Sequence, residues 1–377
     1  MPANPMTPRQ RLLAAMRCEE PDRVPIQVRG VYPTQPNWLA DHDESFRPLF
    51  EIVRDRCDPV HVVGFRSGYY LVDRATLDVR TERHPVDADW AEDVATIGTP
   101  KGPITEAYRT SLKGDPGFQT RHAIQDTDDL ARFLSLPVTA ETPPVDSYVK
   151  AVKSVGERAL VIADIGSNPI GMAHNLLGSE TLAIWAMTER DALKTLLAAL
   201  TKRWAAHVGR LLDAGVSGVF GTLGHEVALP PLLAPADFRE LVVENDRPVM
   251  EMIREKGNMI HVHSHYNLSK VLDGFVTLCV NCLHPVEAPP MGDIELAEAK
   301  RRLAGKVCIE GNMQIGEMQT ATPDEIRRTT RKIIEDAAAG GGLILCPTAS
   351  PHWPTLSART LANYVAFIET GREYGRY

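Results

Sequence analysis

The amino-acid sequence predicts an α/β protein in which residues 1–377 form a single (β/α)8 barrel. Eight short apolar runs rich in Val, Ile and Leu recur along the chain, and such near-continuous apolar character is typical of strands buried on both faces of a parallel sheet. Amphipathic helical segments separate most of these runs, and eight strands alternating with helices is the composition of this barrel. The predicted strands are 24–28, 60–65, 160–164, 217–221, 259–263, 278–283, 306–310 and 343–346.

The other elements follow in chain order. Residues 1–20 are predicted to form a leading helix packed on the outside of the barrel. From about residue 66 to about 144, alternating segments such as 105–110 mix with clusters of Pro, Gly and Asp, which predicts a hairpin insertion near the barrel mouth. The later helices end at Gly and several begin with Pro, the expected asymmetry of helix ends. They are 189–213, 235–256, 294–303, 323–339 and 357–370.

A doubly wound open sheet is the alternative fold. It is less favoured because the sequence lacks a glycine-rich first turn that could hold dinucleotide phosphates, and GTLGHE at 221–226 does not have the G-x-G-x-x-G spacing.

Composition and charge argue against several classes of function. The formal charge of -8 gives no general attraction to nucleic acid or to an anionic membrane. No apolar stretch approaches the roughly 20 residues that span a bilayer, and the N-terminal segment lacks the features of a signal peptide. The six cysteines are too few for a disulfide framework, so we expect a cytoplasmic protein. Cys279 and Cys282 lie inside an apolar run and are interpreted as buried core residues.

Polar residues cluster where the predicted strands end. Active sites of such barrels are built from the carboxyl ends of the strands. For Asp164 and Asn168 a loop-capping role is an equal alternative, because Asp and Asn favour turns. The residues in question are Arg29, Asp164, Asn168, His225, Glu226, His261, His263, His265, His284, Glu287, Asn312 and Cys346.

His261, His263 and Cys346 are the predicted metal ligands. Residues at i and i+2 of a strand point to the same side, so the two imidazoles would share a face. With a distant thiol they make a three-ligand set for zinc that leaves one position open for substrate. The alternative is two buried, hydrogen-bonded histidines and a buried cysteine.

The sequence also resembles the uroporphyrinogen decarboxylase superfamily over nearly its whole length. The resemblance is carried by TPRQRLLAAMRCEEPDRVPI near the start, by HPVEAPPMGDIELAEAKRRLAGKVCIEGNMQ, and by ILCPTASPHW near the end. It implies a (β/α)8 barrel. Porphyrinogen decarboxylases carry an R-Q-A-G-R type loop after the first strand, whereas this chain reads QVRGVYPTQPNW there, with Arg29 as its single arginine.

The chain is more similar to the other branch, the zinc-dependent methyltransferases that work with methylcorrinoid proteins and the related thiol alkyltransferases. The zinc motif of that branch is H-x-C followed some eighty residues later by Cys, so His263 stands where the family uses Cys. Neutral imidazole in place of a cysteinate leaves more positive charge on the metal. A carboxylate could compensate, and Glu226 is the predicted one. Glu287 is predicted to bind substrate, and Asn168 and Asn312 are predicted to bind cofactor.

The strand-end histidines and Cys346 predict a zinc site, and the resemblance implies that the chain is a zinc-dependent methyltransferase. It would move a methyl group between a methylcorrinoid, carried by a small corrinoid-binding protein, and a thiol or tetrahydrofolate acceptor. One alternative is a carboxy-lyase acting on a small aromatic or polycarboxylic acid, with Arg29 as carboxylate clamp and a histidine as proton donor. A second alternative is a non-catalytic barrel that escorts a corrinoid partner.

Overall fold

The computed structural model describes residues 5–65, 69–72, 77–138 and 143–377. Its strands are β1 (Val60–Gly64), β2 (Asp78–Pro85), β3 (Trp90–Gly98), β4 (Ile104–Ser111), β5 (Phe118–Arg121), β6 (Leu160–Ser167), β7 (Val219–Leu223), β8 (Met259–His263), β9 (Cys282–His284), β10 (Cys308–Met313) and β11 (Leu343–Pro347).

The helices alternate with the strands of the parallel sheet, as the sequence predicts. They are α1 (Pro8–Met16), α2 (Arg47–Arg56), α3 (Thr127–Leu134), α4 (Asp146–Val155), α5 (Pro169–Thr188), α6 (Arg190–Asp213), α7 (Pro235–Asp237), α8 (Glu244–Glu255), α9 (Leu272–Thr277), α10 (Leu296–Leu303), α11 (Ile315–Thr320), α12 (Pro323–Ala337) and α13 (Ala358–Tyr374). A π-helical segment, Phe238–Val243, joins α7 to α8. Among the described residues, no helix is both long enough and apolar enough to span a membrane.

The main sheet is parallel and has seven strands in the order β1-β6-β7-β8-β9-β10-β11. Each strand pairs with the strand of this sheet that follows it in the sequence, as the predicted alternation of strands and helices requires. Adjacent carboxyl ends therefore lie along one edge of the sheet, and side chains from successive strands meet there.

The predicted first strand, residues 24–28, is not formed as a strand. Ile26 makes an isolated bridge to Leu345, and Gln27 N donates to Leu345 O at 2.9 Å. On its other side, Asp58 N donates to Ile26 O at 2.7 Å, just before β1. Pro25 has no N–H for a ladder, which shortens the pairing. The segment thus lies between the last and first strands, but a complete (β/α)8 barrel is not confirmed.

Helix α1 packs at the amino-terminal end of the curled sheet, a position that the sequence does not specify. Its side chains Leu12, Ala15 and Met16 join a buried cluster with residues from the first turns of the strands. Those partners include Val60, Leu160, Val219, Cys282, Cys308 and Ile344, each the first or second residue of its strand. A single helix that contacts so many strand starts covers the amino-terminal end of the curled sheet.

The predicted insertion is a separate antiparallel sheet in the order β2-β3-β4-β5. Strand β2 is exposed along its whole length, whereas Ile97 of β3 and Ile104 of β4 are buried and belong to the main core. The insertion is therefore anchored by one of its faces, and its outer strand contributes little to the core.

The predicted strand at 278–283 starts too early. Residues 272–277 are helix α9, Cys279 has a left-handed φ of 58°, and strand β9 runs from Cys282 to His284. The left-handed residue ends the helix by turning the backbone. The shift places Cys282 and His284, rather than Cys279, beside the carboxyl end of β8.

Candidate functional site

Four neighbouring strands, β8 to β11, bring the predicted ligands together. His261 of β8 is paired in register with Cys282 of β9, and His263 with His284. On the other side, Asn312 of β10 is paired with Cys346 of β11. Register partners in a parallel sheet point to the same face, and so do residues two apart on a strand. Side chains that lie far apart in the sequence therefore share one face near the carboxyl edge.

Glu310 lies at the centre of this cluster. His261 Nε2 is 2.6 Å from Glu310 Oε2, and Cys282 Sγ donates to the same oxygen at 3.7 Å. Glu310 is 4% exposed and His261 is 6% exposed. Burial by itself would raise the pKa of the Glu310 carboxyl, but His261 and the positive charge of Arg29 lower it below its usual range. Glu310 is thus an ionised carboxylate held away from solvent.

The ring nitrogens of His263 and His284 form a chain that ends on the backbone. His284 Nε2 lies 3.1 Å from Pro347 O, an atom that can only accept, so Nε2 carries the proton and Nδ1 is left as an acceptor. His263 Nδ1 lies 2.8 Å from His284 Nδ1 and must therefore donate. This network assigns His263 Nε2 as unprotonated. Burial, followed by the charge of Arg29, lowers the pKa of both imidazoles.

Cys346 is fully buried in the same cluster, and its thiol donates to Gln27 Oε1 at 2.7 Å. Burial and the charge of Glu310 raise the pKa of this thiol well above its usual value. Without a cation, Cys346 is therefore a protonated thiol. A metal ion would displace the proton, because coordination requires the thiolate.

Two overlapping groups of side chains could hold a metal ion in the described part of the chain. One consists of His261, Cys282 and Glu310, and the other of His284, Glu310 and Cys346. Within each group the ligand atoms lie within 4.8 Å of one another, and every member is buried. Two of the predicted ligands, His261 and Cys346, thus fall in different groups that Glu310 joins. The third, His263, contacts His284 and belongs to neither.

A cavity of about 330 Å³ lies against this cluster. Arg29 lines the cavity, and its positive charge acts on the Glu310 carboxylate. Its guanidinium could also hold an anionic group of a substrate. The volume is at the lower end of the range for small-molecule sites. The polar side chains that line the cavity include Gln27, Arg29, Asp164, Thr222, His263 and Glu310.

Asn168 and Asn312, the predicted cofactor-binding residues, both make hydrogen bonds within the protein. Asn168 Oδ1 accepts from Gly171 N at 3.0 Å as the N-cap of α5, and its Nδ2 donates to Asp246 Oδ2 at 2.7 Å. Asn312 Nδ2 donates to Val286 O at 2.9 Å. Neither belongs to the two ligand groups, and their predicted role stays a prediction.

Glu226 and Glu287 also lie outside the two ligand groups. Glu226 accepts from Gly224 N at 3.2 Å, so the carboxylate beside the predicted ligands is Glu310 instead. Glu287 is 2% exposed, accepts from His265 Nδ1 at 3.1 Å and from Tyr266 N at 3.0 Å, and borders a second cavity of about 540 Å³. Its predicted contact with substrate is untested.

Comparisons with known proteins place this geometry in context. The family described as Uroporphyrinogen decarboxylase (URO-D) matches residues 112–373. A methyltransferase from Methanosarcina mazei has a similar structure, with a TM-score of 0.62 and 15% identity over 98% of this chain and 99% of that chain. At this identity the likeness shows the fold alone. No curated protein matches the chain by sequence.

Two glycoside hydrolases show much weaker structural likeness. A Bacteroidetes-affiliated cellulase has a TM-score of 0.36 and 16% identity over 60% of this chain and 73% of that chain. A Bacillus subtilis mannanase has a TM-score of 0.40 and 10% identity over 95% of this chain and 93% of that chain. Both scores are too low to support an argument about this protein.

Proposed function

The chain belongs to the uroporphyrinogen decarboxylase family, and on that premise we propose that it is a zinc-dependent methyltransferase rather than a porphyrinogen decarboxylase. The observation that carries the proposal is the convergence of Cys346, Glu310 and histidine side chains beside a small cavity. Thiolate, imidazole and carboxylate are the usual ligands of zinc in proteins. A Methanosarcina methyltransferase with the same fold is consistent with this choice.

The charge of the ligand set supports the proposal. The family motif supplies two cysteinates, whereas His263 replaces one of them here. Glu310 compensates for that loss, because one thiolate from Cys346 and one carboxylate again carry two negative charges. The carboxylate that the charge argument requires thus comes from β10, not from the loop that carries Glu226. Zinc bound there would act as a Lewis acid and lower the pKa of a substrate thiol.

Two residues that line the cavity would bind the methyl acceptor. Arg29 would hold an anionic group of the substrate through charge-assisted hydrogen bonds. His263 lines the same cavity, and its unprotonated Nε2 could accept a hydrogen bond from an acceptor thiol, whose proton would pass to solvent when zinc holds the sulfur. The acceptor sulfur would then take the methyl group as the carbon–cobalt bond breaks, and the electron pair would remain on cobalt.

The size of the cavity decides which of the two substrates, the thiol and the methylcorrinoid, it can enclose. A volume of about 330 Å³ suits a small thiol and cannot also enclose a corrinoid. The methylcorrinoid would therefore be presented from outside, bound to a small partner protein. Tetrahydrofolate remains a second acceptor to be tested, since only its reacting end would need to enter.

One observation favours a second function, decarboxylation of a small carboxylic acid. Arg29 lines the cavity, where its guanidinium could hold a substrate carboxylate. A histidine beside the cavity, such as His261, which lines it and contacts Glu310, could supply the proton that replaces carbon dioxide. Two assays separate these functions. Methylcobalamin with a panel of thiols and tetrahydrofolate tests methyl transfer, and carbon dioxide release from small aromatic acids tests decarboxylation.

A further inference from the structure

The two ligand groups share one residue, and each offers a complete set of donors. We propose that Glu310 bridges two metal positions, so that the chain binds two ions of the zinc class: an inner one at His261 and Cys282, and an outer one at His284 and Cys346. The inference rests on the metal binding proposed above but not on methyl transfer, and it goes beyond that proposal, which requires one ion.

The inner position is built around one carboxylate oxygen. Glu310 Oε2 is 2.6 Å from His261 Nε2 and 3.7 Å from Cys282 Sγ. His261 and Cys282 are register partners on β8 and β9, so their side chains lie side by side on the same face. The Cys282 thiol, which the sequence indicates only as core packing, is directed at a buried ionised group. The contact gives this buried thiol a polar partner in addition to its apolar packing.

The outer position has the same types of donor. His284 Nδ1, which accepts from His263 Nδ1 while no cation is bound, would supply an imidazole nitrogen, Cys346 would supply a thiol, and Glu310 would again supply a carboxylate. Each group therefore contains one ligand of each kind, and the combination of thiolate with imidazole favours zinc over the harder cations. A carboxylate has two oxygens and can bind one ion with each. Protein sites with two metal ions place them about 3.5–4 Å apart, a distance that one carboxylate spans.

Cys308 provides a matched control for Cys282. The two are register partners on β10 and β9, and both are fully buried. Cys308 belongs to neither ligand group; its thiol lies 3.8 Å from Ile309 O and also interacts with the Cys282 side chain. Replacing Cys308 therefore changes the surroundings of Cys282 but keeps every proposed ligand, whereas replacing Cys282 removes one.

The test is the number of metal ions per chain. Apoprotein would be reconstituted with zinc, desalted and measured by elemental analysis. We expect two zinc ions per chain in wild type and in Cys308→Ser, and one in Cys282→Ser and Cys282→Ala. Cobalt(II) titration gives a second readout: thiolate-to-cobalt absorption should grow through two equivalents in wild type and stop after one in Cys282→Ser.

One zinc ion or none in wild type would overturn the inference, as would two ions retained in both Cys282 variants. The wild-type count decides the matter even if those variants fold poorly. One ion together with thiol methylation would leave the proposed function standing without the second position. Two ions in a protein that transfers no methyl group would support the inference and reject the function.

Discussion

His261 Nε2 and Glu310 Oε2 lie 2.6 Å apart, on strands β8 and β10, and both side chains are almost completely buried. A buried carboxylate is costly unless it is paired, and the imidazole supplies that pairing in the absence of a cation. The arrangement keeps two ligand atoms together and leaves the Glu310 charge available to a metal ion. Glu310 is therefore the residue on which the metal hypothesis depends most.

Glu310→Gln should lower zinc affinity by more than about 100-fold, because it removes a charged ligand rather than a supporting contact, whose loss costs about 10- to 100-fold. Glu226→Gln is the matched control, since within the described part of the chain Glu226 accepts from Gly224 N and lies in neither ligand group. Competition with a chelator of known affinity measures both. A larger loss in Glu226→Gln than in Glu310→Gln would return the compensating role to Glu226.

Zinc affinity should rise with pH across the neutral range. The buried Cys346 thiol has a raised pKa, so it is protonated in the apoprotein and must release its proton on binding. His263 and His284 have lowered pKa values and are already neutral there, so they contribute no pH dependence. Apparent affinity should increase roughly tenfold per pH unit for each thiol that ionises.

Calorimetry in buffers with different ionisation enthalpies would count the protons released when zinc binds. A count of zero near pH 7 would mean that no thiol ligates the ion. Cys346→Ser should reduce the count by one relative to wild type, and Cys308→Ser should leave it unchanged, since Cys308 is outside both groups.

Arg29→Gln should raise the KM for an anionic substrate by about 10- to 100-fold, which corresponds to losing charge-assisted hydrogen bonds worth about 1.5–3 kcal/mol. The value of kcat should change much less, because the clamp holds the substrate equally in the ground and transition states. Arg29→Lys should recover part of the loss. Steady-state kinetics would show this, and an unchanged KM in Arg29→Gln would remove Arg29 from the substrate site.

Asn168→Ala should destabilise the fold by about 2 kcal/mol or more. It removes the N-cap of α5 and the hydrogen bond to the buried Asp246 carboxylate. Chemical denaturation measures the change, and zinc affinity at saturating folded protein serves as the second readout. If stability is unaffected and cofactor or metal binding is lost, the predicted cofactor role of Asn168 is correct and its structural role is secondary.

Much of the fold can be predicted from the sequence because buried parallel strands have a strong local signature. Seven of the eight predicted strands form, and they pair in chain order. The exception is the segment 24–28, which contains Pro25. Its pairing depends on which backbone groups of the neighbouring strands are still free to hydrogen-bond. The position of α1 could not be predicted either, since an apolar helix face does not indicate which end or flank of the sheet it covers.

The site was only partly predictable for a similar reason. His261 and Cys346 can be predicted as site residues because His and Cys are rare and both stand at the ends of apolar runs. Glu310 also ends a predicted strand, but it is one of 49 acidic residues and carries no comparable signal. Cys282 is predicted only as a core residue of the strand 278–283, because the sequence gives no signal for the left-handed turn at Cys279 that shifts the start of this strand. Register between strands, which the sequence does not specify, brings these residues together.

The most direct test of the proposed function is the demethylation of methylcobalamin by a simple thiol under anaerobic conditions with zinc present. The change in cobalamin absorbance would be followed for wild type and for Cys346→Ser. We predict a rate proportional to wild-type protein and at least about 100-fold slower with Cys346→Ser, because the variant loses a metal ligand and not a supporting contact. No demethylation with any thiol or with tetrahydrofolate, together with carbon dioxide release from a small aromatic acid, would contradict the proposal.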